Sequence, residues 1–292
     1  MRQSTTFPTL RQARLLSRWA ALLLLCLPMM ATKCDAQTAY AVYQDSTLTF
    51  YYDDNQPDTA YDMSFHEVAA YGKVPSWYEL SDSVKTIVFD ESFDTYRPTD
   101  CTAWFCDYYL LSKMEGMEYF HTDSVRSMSN MFCACTSLYN VDLTHFNTEK
   151  VEDMSKMFFY CTGFSTLDLS FFNTESVRDM SNMFYWCYYL ETIFASETFT
   201  TGAVTNSKDM FNGCTALVGA IPFDPNRTTA RYANYTDGYF TYKDPTAISL
   251  PAPTASETTT AYFDLQGRRL TGPQRGLYLV RQGGKTVKVM KK

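Results

Sequence analysis

Nine cysteines are the residues of this 292-residue chain whose type is best suited to chemistry. A thiolate can ligate zinc, carry a redox step or act as a nucleophile. Beyond Cys26 and Cys34 near the N-terminus there are seven: Cys101, Cys106, Cys133, Cys135, Cys161, Cys187 and Cys214. Cys133-Ala134-Cys135 is too tight to be half of the usual Cys-x-x-Cys zinc pair, and no second pair follows at metal spacing. From spacing alone, no metal ligands and no cofactor are expected. Cys135, Cys161, Cys187 and Cys214 instead recur at intervals of 26, 26 and 27 residues. In a stacked repeat such residues become neighbours. Two readings follow: a ladder of small buried core residues, or bridges between coils in an oxidising compartment. The odd count leaves at least one thiol unpaired in a monomer.

The other reactive types form no constellation. His66, His121 and His145 share no helical or strand spacing with cysteines or carboxylates. The chain has no Gly-x-Ser-x-Gly, no Gly-rich phosphate loop and no His-Glu-x-x-His. Asp53-Asp54-Asn55 and Asp58 have the type for calcium but the spacing of no known loop. No catalytic residue is assigned, and the chain is read as not an enzyme.

Charge narrows the partners. Residues 37–260 carry 12 Lys/Arg against 30 Asp/Glu, a net of −18, whereas residues 261–292 carry 8 against 1, a net of +7. An acidic body repels phosphate backbones, so nucleic acid is not an expected partner. Residues 1–36 read as a secretory signal: Arg2, Arg11, Arg14 and Arg18 precede an apolar run from Trp19 to Ala31, with cleavage expected near Ala36. No later stretch approaches 18 apolar residues, so no transmembrane helix is expected in the mature chain.

The elements that would position these residues are repeats. Val125-Arg-Ser-Met-Ser-Asn-Met-Phe132, Val151-Glu-Asp-Met-Ser-Lys-Met-Phe158 and Val177-Arg-Asp-Met-Ser-Asn-Met-Phe184 open three units, and Val204, Met210 and Phe211 continue in a fourth. Phe120, Phe146, Phe172 and Phe199 keep the same phase. Each unit holds a strand-like stretch, as in Leu138-x-x-Val141-x-Leu143, where alternation puts Val141 and Leu143 on one face. Val151, Met154, Met157 and Phe158 have the spacing of one or two helical turns. A unit this small cannot bury its own apolar face, whereas stacking identical faces makes one continuous core. Asn147-Thr148 and Asn173-Thr174 fall where short polar side chains can bond turn backbone in place of ladder partners. Upstream, Val84–Phe89 reads as a strand, and Trp104-Phe105 stands one coil before Met131-Phe132. Ser46–Tyr52, the Asp53–Asp58 turn and Ala60–Met63 read as a hairpin.

The expected fold is thus an α+β repeat solenoid, a short leucine-rich-repeat stack with one short strand and one short helix per coil. A signal peptide (1–36) precedes a β-hairpin cap (37–83), the solenoid (84–244), a linker (245–260) and a basic β-rich tail (261–292).

Leu48–Asp53, Val84–Asp90 with Ser92-Phe93, Arg97-Pro98-Thr99 and the Met-Ser-x-Met-Phe-x-x-Cys repeats resemble the BspA-like leucine-rich-repeat surface proteins of Gram-negative gut and oral anaerobes, over roughly residues 45–242. Tyr262–Arg268, Gly276–Val280 and Lys285–Lys292 are similar to the final half of type IX secretion sorting domains. The resemblance implies a secreted or cell-surface protein, an adhesin or interaction module that binds host extracellular-matrix or cell-surface proteins or other bacterial surfaces. A self-associating structural component of the cell surface or matrix is the alternative. Strand positions alternating with the core are the candidate partner-facing residues: Tyr139, Asn140, Asp142, Thr144, Thr166, Asp168 and Ser170.

Overall fold

The computed structural model describes residues 37–245, 261–263, 269–270, 272, 276–282 and 285–291, all within one compact unit, Gln37–Lys292. The expected signal peptide and nearly all of the expected linker lie outside the described residues. The body contains β1 (Thr38–Gln44), β2 (Thr47–Asp53), β3 (Tyr61–Asp62), β4 (Phe65–Val68), β5 (Gly72–Pro75), β6 (Thr86–Phe89), β7 (Lys113–Glu115), β8 (Thr166–Asp168), β9 (Thr192–Ala195) and β10 (Phe240–Tyr242).

The hairpin at the start differs from the expected one. β2 pairs antiparallel with β1 through the two-residue turn Asp45-Ser46, and β3 joins the far side of β1. Both turn residues have positive φ, 49° and 62°. That is the mirror-image turn whose twist suits two adjoining strands. Without a glycine in the turn, the sequence does not announce it. β2 then runs parallel to β6, with Phe50 opposite Phe89, and β6 runs parallel to β7. Phe50 packs on Phe89, Trp77 and Trp104 at ring-centroid distances of 5.0, 5.1 and 5.6 Å. The buried Trp77 indole N–H donates to the Trp104 carbonyl (2.9 Å).

The expected class, α+β with a helix in each coil, is corrected. Among the described residues there is no α-helix; the helical pieces are 3₁₀ turns at Ser76–Leu80, Glu91–Thr95, Met117–Tyr119 and Ala230–Tyr232, and the structure is β-rich. The physical reason lies in where the repeat N–H groups go. Met128, Asn130, Phe132 and Ala134 donate to Asp153, Ser155, Met157 and Phe159 of the next unit, at 2.7–2.9 Å. The N–H groups between them close local turns instead: Met131 to Met128, Cys133 to Asn130 and Cys135 to Phe132. A helix would need every N–H to bond four residues back. The same alternation recurs from Cys101 to Asp107, Met154 to Tyr160 and Met180 to Trp186.

This path requires two left-handed residues per unit. Ala103, Asn130, Lys156, Asn182 and Asp209 have φ of 54–56°; Asp107, Ala134, Tyr160, Trp186 and Gly213 have φ of 55–84°. Parallel bridges join Asp100, Ser127, Asp153, Asp179 and Asn206 in sequence, so equivalent positions lie over one another. Phe105, Phe132, Phe158, Phe184 and Phe211 stack at 5.5–5.8 Å between successive rings. Met131, Met157, Met183 and Met210 are buried beside them. Thr148 Oγ1 donates to the Asn173 carbonyl (2.8 Å) and accepts from its N–H (2.9 Å), the structural role expected of the Asn-Thr pairs. β8, β9 and β10 form a parallel sheet, and Tyr239 covers the last ring, 5.2 Å from Phe211. Leu138–Val141–Leu143 forms no strand, although Leu138 and Leu143 are buried. In the tail, β11 (Ala261–Phe263), β12 (Arg269–Leu270), β13 (Gly276–Gln282) and β14 (Lys285–Lys291) make an antiparallel sheet in the order β12-β11-β13-β14.

Candidate interaction surface

The seven candidate positions do not share one environment. Tyr139, Asn140, Asp142, Thr144 and Thr166 are exposed, Tyr139 by 68%. Asp142 Oδ1 holds the Thr144 N–H and hydroxyl at 2.9 and 2.6 Å. Asp168 is half-buried and accepts from the Lys243 ammonium, whose cation also lies 5.6 Å from the centre of the Phe194 ring. Burial alone would raise the Asp168 carboxyl, but hydrogen bonds from Lys243 and Ser170 outweigh it and hold the group below its ordinary value. Ser170 is a correction: it is fully buried and faces no partner. Its N–H bonds Asp168 Oδ1 (3.0 Å), which turns the chain at the end of β8 and breaks the alternation on which the expectation rested.

A more coherent surface lies beside the left-handed positions. Tyr160 and Trp186 occupy equivalent places in successive units, with ring centroids 6.0 Å apart. Tyr188 stacks on Trp186 at 6.2 Å and meets the Tyr160 edge at 6.4 Å. Beneath them, Phe159 and Tyr185 stack at 5.2 Å with planes 2° apart, and Tyr185 touches Trp186 at 5.0 Å. Trp186 remains 40% exposed and Tyr189 67%. The backbone under this ridge is fixed by the ladder: Tyr160 N–H donates to the Tyr185 carbonyl (2.7 Å) and Trp186 N–H to the Asn212 carbonyl (2.8 Å). A set of half-exposed aromatic rings on a rigid frame loses little conformational freedom on binding. Such rings are the side chains that most often anchor protein interfaces. The ridge was visible in sequence only as the aromatic run Tyr185-Trp186-Cys187-Tyr188-Tyr189. Its alignment with Tyr160, 26 residues earlier, was the missing signal.

Six of the seven described thiols fall into two groups, and the seventh, Cys101, is buried in the main core. Cys135, Cys161, Cys187 and Cys214 are buried and free, and each S–H donates to the carbonyl of Phe105, Phe132, Phe158 or Phe184 at 2.8–3.0 Å. Burial pushes the Cys187 thiol up to about 12 and raises the other three strongly. Cys106 and Cys133 lie off this ladder. They pack with Val74, Ala103 and Ala134 in a small separate cluster, next to Asp107. Of the histidines, His121 Nε2 lies 2.8 Å from Asp94 Oδ1 on the surface.

Residues 99–222, which hold the stacked units, match the model of a family described as Mycoplasma protein of unknown function, DUF285. No curated protein matches the chain. Among solved structures, a leucine-rich cell surface protein from Faecalibacterium prausnitzii A2-165 is similar at 18% identity and a TM-score of 0.33, over 63% of this chain and 52% of that one. The chain therefore spans about half the length of that relative. No helix among the described residues is long and apolar enough to cross a membrane.

Proposed function

We propose that this chain is a non-catalytic interaction module displayed at the surface of a Gram-negative bacterium, an adhesin of the BspA-like kind. Its partners are host extracellular-matrix or cell-surface proteins, or other bacterial surfaces. One observation carries the reading: Tyr160, Trp186 and Tyr188 form a partly exposed aromatic ridge on a backbone held by hydrogen bonds from unit to unit. The basic N-terminal segment with its apolar run, and the tail's likeness to sorting sequences, support export. The acidic body disfavours nucleic acid.

The test is binding of the purified protein to immobilised fibronectin, fibrinogen and whole cells. Saturable binding at micromolar concentration or tighter is expected; blank responses up to high micromolar on all three would remove the reading. The self-associating alternative draws on the same ridge. Light scattering separates the two: the adhesin reading expects a monomer, and concentration-dependent growth in mass favours self-assembly.

A further inference from the structure

We propose that Cys106, Cys133 and Asp107 form a binding site for a thiophilic divalent cation, zinc being the ion whose chemistry fits them best. The donor atoms of these three residues all lie within 4.8 Å of one another, and all three side chains are buried. The stacking explains the convergence. Phe105 lies over Phe132, so the next residues, Cys106 and Cys133, occupy one position in successive units, and Asp107 N–H donates to the Cys133 carbonyl (2.8 Å). In the following units the same row holds Phe159 and Tyr185, stacked ring on ring. Only the first two units place sulfurs there.

Three hydroxyls aim the carboxylate. Tyr71 and Tyr109 both donate to Asp107 Oδ1 at 2.9 Å, and Tyr78 donates to Oδ2 at 2.6 Å. Each oxygen can accept two bonds, so Oδ1 is filled and Oδ2 keeps one acceptor position. Among the described residues no ammonium or guanidinium is in ion-pair contact with Asp107, although the residue is only 7% exposed. Buried carboxylates are normally paired or bound to metal. Tyr71 follows β4 and Tyr78 follows β5. Val68 and Val74 of this hairpin pack in the same small apolar cluster as the two cysteines.

Two thiolates and one carboxylate oxygen suit a tetrahedral ion with a fourth position left to water. Binding exchanges two thiol protons for the cation. Both protons go to solvent, and the site holds one net negative charge, spread into the three tyrosine hydroxyls. The tyrosines that fix the carboxylate are positioning residues, of the kind whose loss weakens metal sites without removing a ligand.

The test is titration of the reduced, metal-free protein with Co²⁺ and then Zn²⁺. One equivalent of Co²⁺ should bind with a thiolate-to-cobalt charge-transfer band, release two protons and be displaced by Zn²⁺. Cys106→Ser and Cys133→Ser should lose the band, and Cys187→Ser should keep it. Tyr78→Phe should keep the stoichiometry and weaken binding by about 10–100-fold, which guards against a cysteine variant that fails to fold. The proposal is overturned if the reduced, folded protein takes up no metal, or if the band survives loss of both sulfurs. It is also overturned if freshly isolated protein carries a Cys106–Cys133 disulfide and binds no metal once reduced.

Discussion

The indole of Trp186 occupies the space that a side chain on Gly213 would need: a Cβ placed there would lie 2.3 Å from Trp186 Cδ1. These residues are equivalents in successive units, and the same left-handed place is held by Asp107, Ala134 and Tyr160 earlier in the stack. A glycine there leaves room for the Trp186 indole against the following unit.

Gly213→Ala should therefore displace the Trp186 ring and add backbone strain at a φ of 84°. A loss of about 1–3 kcal/mol is expected, the usual scale for a strained left-handed residue. Urea unfolding and acrylamide quenching of tryptophan emission would read it. An unchanged midpoint with unchanged quenching would mean that the contact does not constrain the ring.

Phe158 stacks between Phe132 (5.6 Å) and Phe184 (5.8 Å), fully buried. Phe158→Ala should cost about 3–5 kcal/mol, because adjacent units cannot collapse into the gap without breaking their ladder. The Phe132→Ala, Phe158→Ala double variant should depart from additivity by about 0.5–3 kcal/mol, since the rings touch. Strict additivity in denaturant melts would contradict a continuous stacked core.

How far the sequence was legible follows from this stack. The phase of Val, Met, Phe and Cys was readable because each residue meets its own copy, and every Met and Phe of that phase is buried. The local conformation was not. Val151, Met154, Met157 and Phe158 fit helical spacing, yet turns closed three residues back, alternating with bonds to the next unit, bury the same positions. The left-handed residues that distinguish the two are Ala, Asn, Lys, Asp, Tyr and Trp, with a single glycine, so no composition signal marked them. In linear spacing Cys106 and Cys133, 27 residues apart, do not read as a ligand pair. Aligning Trp104-Phe105 with Met131-Phe132 already paired them. Asp107 gave no such sign, because its carboxylate reaches the sulfurs only through the left-handed turn.

The Cys135, Cys161, Cys187 and Cys214 thiols should resist alkylation in the native state. Their S–H groups bond backbone carbonyls, and with Cys187 pushed up to about 12 essentially none is thiolate at pH 8–9. Labelling followed by peptide mass spectrometry should be slower than in urea by roughly a thousandfold or more, since reaction waits on opening. Rapid native labelling of any of the four would break the ladder description.

Acid should loosen the contact between β8 and the end of β10. The Asp168 carboxyl is held below its ordinary 3.8, so its pairing with Lys243 stabilises the fold above that value and is lost as pH falls through the lowered one. Asp168→Asn should cost about 0.5–1 kcal/mol at neutral pH, the range for a partly exposed pair, and should flatten the acid limb of the stability profile below about pH 4. Parallel acid limbs in the variant and the parent protein would show that the pair contributes nothing to acid sensitivity.

The central claim, that the aromatic ridge is the binding face, is tested most directly by comparing parent protein with Trp186→Ala, Tyr188→Ala on whichever fibronectin, fibrinogen or cell surface it binds. The expected result is a loss of affinity of tenfold or more, about 1.4 kcal/mol, in a double variant that still melts cooperatively. Affinity retained within a factor of two in the folded double variant would contradict it.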